Sequence, residues 1–118
     1  MKLTKIIPVI VYLLLISLNL NAKEKIKKQS IKWSSYQGEM NWFDAVKKCA
    51  KLNMRLPTRN EMESAFKNKT TAAWKKDGYW FWTSDEYSKG DAYYFDVGLG
   101  LVVDHLKEEI NHTRCISK

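Results

Sequence analysis

Apolar residues recur at helical spacing along the segment NWFDAVKKCAKLN, which predicts an amphipathic helix. Asn41 is placed to cap its first turn, and Asn53 is placed to cap its end. The predicted buried face consists of Trp42, Ala45, Val46, Cys49 and Ala50, and the predicted solvent face of Lys47, Lys48 and Lys51. The helix therefore presents a cysteine to whatever element packs against it.

A second helix follows in RLPTRNEMESAF. Residues before a proline avoid helical backbone angles, so Met54–Leu56 is predicted as a short extended link before Pro57. Thr58 and Glu61 then match a capping box, in which each side chain accepts a hydrogen bond from a backbone N–H of the other residue. The inner face of this helix is predicted to carry Met62, Ala65 and Phe66.

After Thr70 the pattern becomes that of strands. In DGYWFWTS, an Asp-Gly turn precedes an aromatic run that suits a strand buried on both faces. The run DAYYFDVGLGLVVDH alternates, and Gly98 and Gly100 allow a tight reversal. HTRCIS is predicted as a last strand that carries Cys115. The fold class predicted is α+β, with two helices packed on short antiparallel sheets.

The first 22 residues have the pattern of a secretory signal peptide. Two lysines precede an apolar run from Ile6 to Leu20, and small Ala22 stands at the cut. The run is shorter than the about 20 residues of a membrane span, although the basic KEKIKK that follows leaves an uncleaved anchor as the alternative. The predicted organisation is signal peptide 1–22, basic disordered leader 23–31 and folded domain 32–118, in a protein exported to the periplasm, the cell surface or the medium.

The positive charge lies mainly in the leader. The chain carries +7 at pH 7, and loss of residues 1–22 removes two lysines and no acid, which leaves +5. Residues 23–32 contain five lysines and one acid, so the rest of the chain is close to neutral. A nucleic-acid partner is not expected, because such binders spread basic residues over a folded face. Peripheral contact of the leader with a membrane or envelope surface is the expectation instead.

Two cysteines in a short exported chain favour a disulfide over a metal site or a nucleophile. A bond between Cys49 and Cys115 closes a long loop and contributes roughly 4 kcal/mol in the chain-entropy model. The disulfide would connect the first helix to the last strand.

Five segments in this order resemble the C-terminal domain family of bacterial collagen-like adhesins, the Lcl C-terminal family. They are NWFDAVKKCAKLN, RLPTRNEMESAF, YWFWTSDE, AYYFDVGLG and TRCIS, and the resemblance runs from about Ile31 to Ser117. It implies a C-type-lectin-like fold with a helix-to-last-strand disulfide and an adhesin-like role, with glycan or protein ligands. The chain departs from the family at Met54, where a tryptophan is usual, and has no collagen-like repeat.

The sequence predicts no catalytic residue, no metal site and no cofactor. His105 and His112 are the only histidines, and neither has a second ligand at metal-binding spacing. The acids Asp85, Glu86 and Asp91 cluster in one loop, where solvated side chains are the simpler interpretation. The Glu-Pro-Asn, Gln-Pro-Asp and Trp-Asn-Asp motifs of calcium-dependent lectins are absent.

The aromatic residues divide into two groups. Trp42, Trp80 and Phe95 fit core positions, whereas Trp74 and Tyr87 stand among polar residues that predict loops. Aromatic residues flanked by lysines are candidates for ligand contact, and Trp74 has the alternative of a lid over the core. The candidate contact residues are Trp74, Lys75, Lys76, Tyr87 and Lys89.

These features together predict an exported, non-catalytic binding domain that recognises an extracellular glycan or protein ligand without calcium. The first alternative is a structural protein of the cell envelope. The second is an enzyme of the formylglycine-generating type, which shares the fold class but needs reactive cysteines close together.

Overall fold

The computed structural model describes residues 31–118. The predicted signal peptide and almost all of the predicted leader lie outside the described residues. Within residues 31–118, no helix has the length and apolar character needed to cross a bilayer. The elements are β1 Glu39–Met40, α1 Trp42–Lys51, β2 Met54–Arg55, α2 Arg59–Lys67, a 3-10 helix Thr70–Lys76, β3 Trp80–Glu86, β4 Asp91–Asp96, β5 Leu101–Leu106, β6 Asn111–His112 and β7 Ile116–Ser117.

Helix α1 begins where the sequence predicts, because the Asn41 side chain accepts a hydrogen bond from the backbone N–H of Asp44 at 2.9 Å. Its buried face is narrower than predicted. Ala45 and Cys49 are fully buried, but Val46 is 39% exposed and Ala50 is also exposed. Only one narrow stripe of the helix, formed by small residues, is therefore covered.

Helix α2 begins with the predicted capping box. The Glu61 backbone N–H donates to Thr58 Oγ1 at 3.1 Å, and the Thr58 backbone N–H donates to Glu61 Oε1 at 2.8 Å. Met62 and Ala65 are buried as predicted, and Phe66 is half-buried.

The segment after α2 is a 3-10 helix, Thr70–Lys76, rather than the predicted loop. It begins after Lys69, which adopts the left-handed conformation at φ 68°. Thr71 and Trp74 are its buried residues, so the helix turns one side chain of each turn toward the core. This explains why polar residues surround a buried tryptophan in the sequence.

The strands form a five-stranded sheet in the order β1-β6-β3-β4-β5 and a two-stranded sheet of β2 and β7. The pairing is antiparallel except between β3 and β6, which are parallel where Phe81 meets His112. The predicted last strand HTRCIS is divided between the two sheets. Its start belongs to β6 and its end to β7, so the expectation of one continuous antiparallel strand is wrong.

The predicted disulfide between Cys49 and Cys115 is present, with 5.4 Å between the two Cα atoms. Both residues are fully buried beside Trp82 and Ala92, so the bond lies in the core between α1 and the sheet. A second cluster, Met62, Trp74, Phe81, Phe95 and Val97, fills the space between α2, the 3-10 helix and the sheet. The architecture is the predicted mixed α+β arrangement with one disulfide.

Candidate functional site

The predicted contact residue Trp74 is not available at the surface. Only 4% of it is exposed, and its ring packs against Trp33 and Phe81 with centroid distances of 4.9 Å and 5.5 Å. The guanidinium carbon of Arg114 lies 4.9 Å from the Trp74 ring centroid. The alternative of a lid over the core describes this position, and the prediction of a surface contact at Trp74 is wrong.

The other four predicted contact residues are exposed, but the structure does not bring them together. Lys75 and Lys76 end the 3-10 helix, just before β3 begins, whereas Tyr87 and Lys89 lie in the turn after β3 ends. A strand of seven residues spans about 20 Å, so the two pairs sit at opposite ends of β3. They do not form one site.

The acidic residues near that turn have separate partners. Asp85 Oδ2 accepts from the Arg59 backbone N–H at 2.7 Å, and Glu86 Oε1 lies 2.6 Å from Lys107 Nζ. Asp91 Oδ2 accepts from Ser88 Oγ at 3.1 Å. Within residues 31–118, no group of three or more Asp, Glu, His or Cys side chains is arranged to hold a metal ion.

A different region, which sequence reasoning missed, has the geometry of a binding site. An open cleft of about 530 Å³ lies where the start of β3, the end of β4 and β6 meet. This volume is within the usual range for small-ligand sites. We call it the Trp80 cleft; it is lined by Glu39, Gly78, Tyr79, Trp80, Asp96, Gly98, Leu99, Ile110, Asn111 and His112.

Trp80 is the main aromatic surface of the cleft, although the sequence places it in the core. Its side chain is 46% exposed, because Trp80 and Trp82 share one sheet face and α1 covers only the Trp82 end. The Trp80 ring stacks on Tyr94, with 5.0 Å between centroids and 28° between the planes. Its Nε1–H donates to Asp96 Oδ2 at 3.2 Å. The indole is therefore held in one orientation and remains open to solvent.

Asp96 also organises the turn that forms one side of the cleft. Its Oδ1 accepts hydrogen bonds from the backbone N–H groups of Gly98 at 2.8 Å and Leu99 at 3.1 Å. Gly98 is in contact with the Tyr79 ring, since a Cβ there would lie 2.9 Å from Tyr79 Cδ1. Tyr79 and Leu99 are 53% and 71% exposed, so the cleft lining contains two more large apolar side chains that are open to solvent.

The opposite side of the cleft is polar. His112 Nδ1 and the Tyr36 hydroxyl are hydrogen-bonded at 2.6 Å, and Glu39 Oε1 lies 3.8 Å from the same nitrogen. Burial, and then the negative charges of Glu39 and Asp77, raise the pKa of Tyr36 above its ordinary value. A side chain at Gly78 would overlap the His112 ring, which explains the glycine at this position.

The cleft depends on the pairing of two strands, for which the sequence carries no local signal. Asp96 precedes a Val-Gly-Leu-Gly turn, and Trp80 pairs with Asp96 in the register of β3 and β4. That register was not predictable from the alternation of β4 alone, because residues on both of its faces are buried.

The fold is C-type-lectin-like. Among solved structures, the chain is similar to TC14, a C-type lectin from the tunicate Polyandrocarpa misakiensis, with a TM-score of 0.53 and 15% sequence identity. The similarity covers 75% of this chain and 97% of TC14. No family model matches the chain, and no curated protein matches it by sequence.

Proposed function

We propose that this chain is an exported, non-catalytic binding domain that recognises a glycan or protein ligand without calcium, and that the ligand contacts the Trp80 cleft. The observation that carries the proposal is the exposed Trp80 ring, fixed by Tyr94 beneath it and by Asp96 at its edge. An aromatic surface that is already held in place loses little conformational freedom when a ligand covers it.

Three features support this class of protein. The buried disulfide is typical of proteins that fold in an oxidising compartment outside the cytoplasm. The fold is shared with TC14, a lectin. The sequence segments also resemble the Lcl C-terminal family, whose members are domains of adhesins.

The polar groups of the cleft favour binding over catalysis. His112 Nδ1 is engaged by Tyr36, and Asp96 is engaged by Trp80 and two backbone N–H groups. Both cysteines are joined in the disulfide, which leaves no thiol for formylglycine-type oxidation among the described residues.

The experiment is a binding survey of the exported, oxidised protein on glycan and matrix-protein arrays, with calcium and with a chelator. Each ligand found is then titrated against wild type, Trp80→Ala and Tyr87→Ala. Tyr87 is the matched control because it is an aromatic residue, 61% exposed, at the other end of β3.

We expect binding that is independent of calcium, is weakened at least about tenfold by Trp80→Ala and is unchanged by Tyr87→Ala. Loss of binding in Tyr87→Ala with full binding in Trp80→Ala would move the site to the β3–β4 turn. Absence of any ligand in a folded, oxidised sample would favour the structural envelope role.

A further inference from the structure

The lining of the Trp80 cleft is acidic, whereas the folded domain as a whole is close to neutral. The lining contains two carboxylates, Glu39 and Asp96, and neither lysine nor arginine. An anionic ligand in this cleft would meet negative charge from both carboxylates. A cationic ligand would meet complementary charge there.

The hydrogen-bond donors of the cleft are largely engaged inside the protein. Trp80 Nε1–H donates to Asp96, Asn111 Nδ2 lies 3.1 Å from His105 Nδ1, and His112 Nδ1 pairs with Tyr36. Among the polar side chains that line the cleft, the Tyr79 hydroxyl and His112 Nε2 have no hydrogen-bond partner within residues 31–118. A sugar hydroxyl both donates and accepts, so a neutral sugar would find few donors here.

The Glu39 carboxylate, in contrast, is an open acceptor, whereas both oxygens of Asp96 already accept hydrogen bonds. The Glu39 side chain is 61% exposed, and within the described part of the chain its carboxylate receives no hydrogen bond, since His112 Nδ1 is 3.8 Å away. The electron-rich faces of Trp80 and Tyr79 attract a cation by the ring quadrupole, and tryptophan is the strongest of the aromatic side chains in this respect. A group that only donates hydrogen bonds and carries positive charge matches what the cleft offers.

We infer that the Trp80 cleft binds the side chain of a lysine or arginine from a protein partner, with the cation between the Trp80 ring and the Glu39 carboxylate. This inference rests on the proposed function, because it specifies the ligand group of the same site.

The test uses two five-residue peptides that differ only in one charge: acetyl-Gly-Gly-Lys-Gly-Gly-amide and the same peptide with an Nε-acetylated lysine. Each is titrated into the full oxidised chain, and the Trp80 indole N–H signal is followed by two-dimensional NMR. The signal is assigned from its disappearance in Trp80→Phe.

We expect the lysine peptide to shift the Trp80 signal saturably and the acetylated peptide to bind at least about tenfold more weakly. Glu39→Gln, which keeps the shape of an exposed side chain, should weaken the lysine peptide at least about threefold. Glu63→Gln is the matched control and should leave binding unchanged, because Glu63 lies on α2 and pairs with Lys67.

Equal binding of the two peptides, or full binding by Glu39→Gln, would overturn the cation inference. If neither peptide shifts the signal while a survey ligand binds in a Trp80-dependent way, the inference fails and the proposed function stands. If survey ligands bind equally well to Trp80→Ala, the proposed function itself fails.

Discussion

The Glu61 carboxylate connects strand β2 to the first turn of helix α2. Arg55 donates to it from Nη1 at 2.6 Å and from Nη2 at 2.8 Å, and the Thr58 backbone N–H donates to Oε1 at 2.8 Å. The hydrogen bonds from Arg55 are the largest cause that lowers the pKa of Glu61 from 4.5 to about 2, and partial burial opposes the shift. The ionised form is therefore the form that the folded protein favours.

We expect Glu61→Gln to lower the free energy of unfolding near pH 7. The full pKa shift would correspond to about 3 kcal/mol, but the Arg55 side chain is 41% exposed, so solvent screening reduces the expected loss to about 1–2 kcal/mol. A folded pKa below the ordinary value means that this stabilisation is present above pH 4.5 and is lost as the pH falls through about 2. Urea unfolding at pH 7, 4 and 2 measures the difference between the two proteins.

The control for this prediction is Glu63→Gln on the same helix. Its ion pair with Lys67 is at 3.1 Å, with both side chains more than half exposed, so its loss should cost less than about 0.5 kcal/mol. A loss for Glu61→Gln that is equally large at pH 2 and pH 7 would contradict the assigned pKa.

Trp74 and Trp80 are two residues whose burial differs from the sequence prediction. Trp74 stands among lysines yet is buried, and Trp80 stands in an aromatic run yet is 46% exposed. Both predictions were based on neighbouring residues in the sequence. The burial of the two side chains depends instead on α1 and the 3-10 helix, which cover different parts of the sheet. In contrast, Asn41 and the Thr58–Glu61 capping box were predictable, because their partners lie three residues away.

The turn between β4 and β5 shapes the cleft and depends on Gly100. This residue has φ of +72°, and a Cβ there would lie 2.5 Å from Cε1 of Phe66 on α2. The backbone N–H of Gly100 also donates a hydrogen bond to the backbone carbonyl of Asp96 at 2.7 Å. A side chain would strain the turn and push it away from α2.

We expect Gly100→Ala to destabilise the domain by about 1–3 kcal/mol, as measured by urea unfolding. Gly90→Ala, in the turn between β3 and β4, is the matched control. A Cβ at Gly90 would meet nothing within 4 Å, so its effect should stay within about 0.5 kcal/mol. Equal stability of Gly100→Ala and Gly90→Ala would show that the β4–β5 turn adapts without cost.

At the level of elements, the sequence indicated both helices and the strands β3, β4 and β5, whose patterns are local. It did not indicate that the segment HTRCIS is divided between the five-stranded and the two-stranded sheet. That division depends on distant partners, since Arg114 Nη2 donates to Asp77 at 3.0 Å and Nη1 donates to the Ser34 carbonyl at 3.0 Å. These contacts hold the chain between β6 and β7 outside the strand pattern.

The last residues of the described domain are joined to α1 by the disulfide and to the first residues of the domain by backbone hydrogen bonds. The backbone N–H of Ser34 donates to Cys115 O at 2.8 Å, and that of Ser117 donates to Lys32 O at 2.9 Å. Cys115 is therefore joined to α1 by the disulfide and to Ser34 by a hydrogen bond, and Ser117 is joined to Lys32.

We expect Cys115→Ala to lower the free energy of unfolding by roughly 2–5 kcal/mol, because the unfolded chain loses its cross-link and the core loses a buried sulfur. Cys49→Ala should cost a similar amount, and the double variant should cost little more than either alone. Additive losses in the double variant, or two reactive thiols in the folded wild type, would contradict a single shared bond.

Calcium is expected to leave the stability of the whole domain unchanged. Asp85 and Glu86 are engaged by Arg59 and Lys107, and the lectin motifs that hold calcium are absent. Thermal melts with calcium and with chelator should overlap. A rise of several degrees with calcium would identify a cation site that involves these acids.

We propose that the Trp80 cleft is the ligand-binding site of an exported domain with a C-type-lectin-like fold. The most direct test is a chemical-shift map of the oxidised protein with the tightest ligand from the binding survey. We expect the signals of the Trp80 indole and of the backbone amides of Glu39, Gly98 and Leu99 to shift together and to saturate at one ligand per chain. Shifts confined to Tyr87 and Lys89, or to Lys75 and Lys76, with the Trp80 signal unmoved, would contradict it.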